Sequence, residues 1–150
     1  MRERMSVSWK EAQQKAARTA RCAVTMAKVR IQRVASRTRW QLVTFYGKSD
    51  AESVGVVDML AIRKDHSASL GAMRCGDALQ IILIQIKGGT AARPTPEDAT
   101  RMRAVAKKHG ACDVLEATWK KGTEARFFRL RRATAIEPWT EITNLDSVFR

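Results

Sequence analysis

The stretch Leu79-Gln80-Ile81-Ile82-Leu83-Ile84-Gln85-Ile86-Lys87 decides the fold. Its apolar, β-branched run is far too short to cross a bilayer and reads as a strand buried on both faces. Side chains alternate between the faces of a strand, so Gln85 and Lys87, two residues apart, project from the same one. Upstream, Gly55 to Ile62 is apolar except for Asp58 and reads as a second buried strand. A carboxylate set in Val56-Val57-Asp58-Met59-Leu60 must find a cation, a hydrogen-bond donor or a proton, because burying it unpaired is costly. If the two strands are neighbours, Asp58 meets Gln85 and Lys87.

The other elements follow from hydrophobic period and punctuation. Trp40 to Tyr46 reads as a first strand, closed by a turn at Gly47-Lys48-Ser49-Asp50. Arg63 to Asp77 is a polar connection into the central strand. Beyond it, Gly88 to Thr95 forms a loop, and Thr95-Pro96-Glu97-Asp98 supplies an N-cap, a proline at the first helical position and an acidic third residue. That helix packs through Ala99, Met102, Val105 and Ala106 and stops at Gly110. Val114 to Trp119 and Arg126 to Leu130 read as two more strands, and Ile136 to Phe149 as a short helix packed on the core. Ser8 with Glu11 is a capping box for a long first helix, about Trp9 to Arg37, whose packing stripe runs through Ala16, Ala20, Ala23, Ala27, Ile31 and Val34. The expected fold is α/β: a central mixed sheet of about five strands, flanked by helices, with a long basic N-terminal helix. An apolar share of 45% over 150 residues suits a single domain. Within it, residues 1–39 form the basic helical part, 40–132 the core and 133–150 a tail packed on the core.

The 28 Lys and Arg against 15 Asp and Glu give a net charge of +13. The first forty residues hold eleven basic and two acidic side chains, so +9 sits there. Lys15, Arg18, Arg21, Lys28, Arg30, Arg33 and Arg37 lie on the first helix, with no acid between Glu11 and Asp50. Like charges at helical spacing destabilise an isolated helix. They point to a polyanionic partner, nucleic acid first, bound through release of phosphate counterions. A solvated charged face over an alanine stripe is the plainer reading of the same pattern. Three cysteines without short ligand spacing argue against a disulfide framework and a zinc module, and favour a reducing, cytoplasmic setting. Nothing predicts a membrane partner. The Arg-rich start resembles an organelle transit peptide, although Glu3 and Glu11 count against that.

Asp58 and Gln85 offer oxygen ligands of the kind Mg2+ or Mn2+ prefers, and the Ile86 backbone carbonyl adds a third. Lys87 beside them would orient an attacking water and offset developing negative charge. The plainer alternative is an Asp58–Lys87 ion pair with a purely structural role, although such buried pairs stabilise poorly compared with apolar packing.

Gly55-Val56-Val57-Asp58, followed by Ile84-Gln85-Ile86-Lys87-Gly88-Gly89 and then a helix, resembles the signature of the PD-(D/E)XK nuclease superfamily. The resemblance covers about residues 8 to 130 and implies a restriction-endonuclease-like core. Gln85 stands where most members carry an acid, as in the Gln-x-Lys form of Mrr-like enzymes, and Glu11 or Glu52 would have to supply any further acidic ligand. The resemblance implies a metal-dependent DNA endonuclease, structure-selective for branched DNA as in junction resolvases, with Asp58, Gln85 and Lys87 catalytic. Helix 1 with Arg93 and Lys107 would track the DNA backbone, and a homodimer would suit cutting two strands. Two other readings stand beside it: a nuclease-fold DNA-binding or assembly protein without turnover, and a basic RNA-associated protein. Gly47-Lys48-Ser49 lacks the earlier glycine of a P-loop, and neither His66 nor His109 has a partner arrangement for zinc or nucleophilic chemistry.

Overall fold

The computed structural model describes residues 8–47, 54–67, 71–133 and 136–150. Helix α1 spans Trp9–Ala35 and opens on the expected capping box. The Ser8 Oγ accepts the Glu11 N–H at 3.3 Å while Glu11 Oε2 accepts the Ser8 N–H at 3.0 Å. The helix ends earlier than the sequence suggested. Ser36–Thr38 tighten into a 3-10 turn that contains Arg37, and Arg39 adopts a left-handed φ of 64°.

Strands β1 (Gln41–Thr44), β2 (Met59–Lys64) and β3 (Leu79–Gly88) follow, then helix α2 (Pro96–His109), then β4 (Asp113–Trp119), β5 (Arg126–Leu130) and β6 (Trp139–Ile142). They form one six-stranded mixed sheet in the order β1-β2-β3-β4-β5-β6. Only β3 and β4 run parallel. A parallel pair needs a crossover, and α2 supplies it.

Alternation along β3 sorts the core into two layers. Ile82 and Ile84 pack with Ala27, Ile31 and Ala35 of α1, together with Leu115, Ala117 and Phe127. Leu83 packs on the opposite face with Met102 of α2, Val114 and Phe128. The central strand is therefore apolar on both sides because a helix covers each.

Two expectations need correction. Strand β2 begins at Met59 rather than Gly55. Gly55 has φ 115° and breaks the extended path, and Val56 turns into the α2-side cluster. At its other end the strand runs on through Arg63 and Lys64. There the Arg63 guanidinium donates to Gln80 Oε1 at 2.7 Å and lies 4.5 Å over the Trp40 ring. The tail is not a helix on the core but a sixth strand followed by a 3-10 turn, Leu145–Ser147. Trp139, Thr140 and Ile142 are strand formers, and Trp139 pairs with Leu130 on the edge that β5 would otherwise expose. Phe149 then closes the α1-side core, edge-on to Trp40 at 5.8 Å.

Helix α1 crosses β3 at Gly88, where a Cβ would stand 2.9 Å from the Ala23 Cβ and 3.1 Å from the Thr19 carbonyl oxygen. Neither neighbour is the tip of a flexible side chain. Gly88→Ala is therefore expected to destabilise the protein by about 1–3 kcal/mol, the usual effect of overpacking. Urea unfolding measures it, and a loss below about 0.5 kcal/mol would show that the helix shifts freely.

Candidate metal centre and nucleic-acid face

Met59 of β2 pairs with Ile84 of β3. One residue earlier, the Asp58 N–H donates to the Ile84 carbonyl at 3.0 Å, and Asp58 Oδ2 accepts the Ile86 N–H at 2.7 Å. Asp58 thus brackets Gln85 across the gap between the strands. The parallel register of β4 sets Glu116 beside Gln85 on its other side. Asp58, just ahead of β2, together with Gln85 of β3 and Glu116 of β4 makes one row at this end of the sheet.

Since Ile84 and Leu115 belong to the α1-side core, alternation puts Gln85, Lys87 and Glu116 on the α2 face. Gln85 is 5% exposed and Glu116 0%. Gln85 Oε1 and Glu116 Oε1 are buried with no hydrogen-bond partner. The other Glu116 oxygen faces Arg93 Nη2 at 3.3 Å. That guanidinium lies 4.2 Å over the Phe128 ring, and its side chain is half exposed. Burial pushes the Glu116 carboxyl above the usual range, and Arg93 and Lys87 only partly pull it back. The Asp98 carboxyl lies below its usual range, chiefly through the Thr95 N–H of the α2 capping box, with Lys87 a small contributor. Lys87 is therefore within electrostatic reach of both acids.

The raised Glu116 value has a pH consequence. The native chain takes up this proton before the unfolded chain does. The ionised form therefore destabilises the fold near neutral pH, and the penalty is relieved as pH falls through the raised value toward the ordinary glutamate pKa of about 4.3. Glu116→Gln removes the penalty and leaves behind a half-exposed Arg93, which water can solvate. In chelator, the variant is expected to equal or exceed wild type in unfolding free energy near neutral pH, with the gap closing in mild acid. A variant less stable by more than about 1 kcal/mol at neutral pH would mean that the ion pair outweighs its desolvation.

Between α1 and the ends of the strands lies an open groove of about 960 Å³. Asp58, Ile86, Lys87 and Gly88 line it from the sheet, and Lys15 and Arg21 from the helix. Phe45 and Tyr46 also line it and are 43% and 69% exposed, so their rings are available for stacking.

Of the other cations expected to meet phosphate, Arg18, Arg33 and Arg37 are exposed elsewhere on α1 or its terminal turn, and Lys107 is exposed on α2. Lys28 and Arg30 are half-buried, and Arg30 pairs with Glu124 at 3.6 Å. Arg93 is held by Glu116. In the basic β5 segment, Arg126 holds Glu141 at 2.7 Å and Arg129 holds Asp113 at 2.8 Å. Glu11 is engaged in the α1 cap, and Glu52 lies outside the described residues. Among the described residues, no three His, Cys, Asp or Glu side chains gather into a metal-binding group. On this row the protein side-chain oxygens are the two carboxylates and the Gln85 amide. Two partnerless buried oxygens in register, with Asp58 across the strand, fit a hard divalent cation that prefers oxygen donors.

Glu116 escaped the sequence reading, although its signal was the same as that of Asp58. It is a lone acid inside an apolar strand, Val114-Leu115-Glu116-Ala117.

No protein-family model matches the chain, and no curated protein matches it. Among solved structures, it is similar to Hjc from Archaeoglobus fulgidus, a Holliday junction resolvase of an archaeal hyperthermophile. The match has 13% identity and a TM-score of 0.42, and covers 79% of this chain and 96% of that one. The fold assignment stands on the strand order and register given above. No helix of the described residues is long and apolar enough to cross a membrane.

Proposed function

We propose that this chain is a divalent-metal-dependent DNA endonuclease of the PD-(D/E)XK type, acting on duplex or branched DNA. One observation carries the reading. Asp58 holds the Ile86 N–H with its carboxylate beside Gln85, at the sheet end of a groove that Lys15 and Arg21 line from α1, while Lys87 projects on the α2 face with Gln85 and Glu116.

Asp58 and Gln85 would hold Mg2+ or Mn2+, which would supply polarisation of a phosphate oxygen and a lower pKa for the attacking water. The Ile86 N–H keeps the Asp58 carboxylate oriented. Lys87 positions the water and offsets the negative charge that builds on the phosphate oxygens. Lys15 and Arg21 hold the backbone of the strand being cut. Such contacts read charge and shape rather than base sequence, which favours substrates distinguished by geometry, such as junctions. A homodimer would supply two such sites for cutting two strands.

Incubation with supercoiled plasmid and with a four-way junction, in Mg2+, Mn2+ or chelator, tests the proposal. Metal-dependent nicking is the expected result. Tight, salt-sensitive binding to either DNA without product would instead support the non-cleaving assembly protein, and preferential binding to RNA the RNA-associated one.

A further inference from the structure

We infer that Glu116 supplies the carboxylate that the Gln85-Ile86-Lys87 triplet lacks, and that Arg93 is its exchangeable counter-ion, released to a phosphate when DNA binds. The inference rests on the metal-dependent reading above and adds to it a ligand and a coupling.

Glu116 is wholly buried, yet Oε1 has no hydrogen-bond partner. Its neighbour in register, Gln85, is also buried, with its own Oε1 partnerless. Two adjacent buried Oε1 atoms without a partner are unfavourable in an apolar interior, and one cation between them would satisfy both. A neutral amide oxygen alone holds a divalent ion weakly, and the adjacent carboxylate restores the missing charge.

Arg93 is poorly suited to a permanent structural pair. It belongs to the loop between β3 and α2, is half exposed, and touches one oxygen at 3.3 Å while lying over Phe128. A guanidinium so placed can exchange a carboxylate for a phosphate, which it binds bidentately. While Arg93 sits on Glu116, it competes with the metal for that carboxylate. When Arg93 moves to phosphate, the competition ends. Metal and DNA must then each raise the affinity of the other by the same factor.

Mn2+ binding followed by electron paramagnetic resonance tests this on the full chain carrying Lys87→Ala to silence cleavage. It is titrated alone and with a saturating duplex, the DNA's own Mn2+ being subtracted. The expected result is a DNA-linked gain in Mn2+ affinity of about tenfold, within the usual range of coupling. Glu116→Gln should weaken Mn2+ binding by at least the same factor and erase the gain. Arg93→Gln should tighten DNA-free binding toward the DNA-bound value and likewise erase the gain.

Unchanged Mn2+ affinity in Glu116→Gln overturns the inference, while loss of binding in Asp58→Asn leaves the metal-dependent reading standing. Absence of Mn2+ binding in the parent protein, with and without DNA, overturns both. Should Glu116→Gln fail to fold in a thermal melt, Arg93→Gln decides, and unchanged DNA-free affinity in that variant rejects the exchange.

Discussion

Asp58→Ala and Lys87→Ala are each expected to lower metal-dependent DNA cleavage by a factor on the order of 10²–10³, the scale seen when one group acting on developing charge is removed. The two variants fail for different reasons. Asp58→Ala removes a metal-ligand carboxylate and also leaves the Ile86 N–H without its acceptor at 2.7 Å. Asp58→Asn separates these effects, because the amide oxygen still accepts that N–H while the negative charge is gone. Cleavage by the Asn variant should be as poor as by the Ala variant, with stability closer to wild type. Lys87 lies near the end of β3 with its side chain on the α2 face, away from the Lys15 and Arg21 phosphate contacts, so its loss should spare the fold and most of the DNA affinity while the single-turnover rate falls. Equal rates in wild type and all three variants would remove the endonuclease reading. Gln85→Glu is the converse experiment. It adds a charged oxygen to the row and should tighten metal binding, and cutting that appears only in this variant would identify the natural protein as a non-cleaving one.

Replacing Lys15, Arg18 and Arg21 together by glutamine is expected to produce the second large change, this time in binding. Each phosphate contact contributes roughly 0.9 to the slope of log affinity against log salt on duplex DNA. The triple variant should therefore lower the slope by about two to three, with the greatest weakening at low salt. Lys15 and Arg21 line the groove beside Asp58, and Arg18 is exposed one turn from each. Arg30→Gln is the internal control. That side chain already pairs with Glu124, so its removal should shift the slope less. Fluorescence anisotropy with duplex, four-way junction and RNA measures all of these. A triple variant with the wild-type slope would mean that the α1 charges face solvent and that another surface holds the phosphates.

Much of the architecture was legible because local signals agreed with the tertiary outcome. The Ser8 and Thr95 capping boxes, Pro96 at the first turn and Gly110 in the left-handed region mark helix ends by chemistry that acts within a few residues. The unbroken run of β3 announced a strand covered on both faces. The misread segments were those whose conformation depends on distant partners. Trp139–Ile142 is a strand because β5 presents an open edge, and no neighbour in sequence carries that information. Gly55–Val57 leaves the sheet because Val56 finds a place under α2.

The candidate site divides along the same line. Asp58, Gln85 and Lys87 were visible from the sequence alone because a polar side chain inside an apolar strand demands a partner, whatever the fold. The sequence likewise determined the charge of α1, since no acid follows Glu11 until Asp50. Only the tertiary structure decided which partners those groups meet. The hydrogen bonds of Asp58 to Ile84 and Ile86, just ahead of the β2–β3 ladder, set it beside Gln85, and the parallel register across α2 brings Glu116 to the other side of Gln85. Register comes from how two helices cover the two faces of one sheet. It is a property of the packed whole, so 30 residues of chain lie between Gln85 and Glu116 while the fold makes them neighbours.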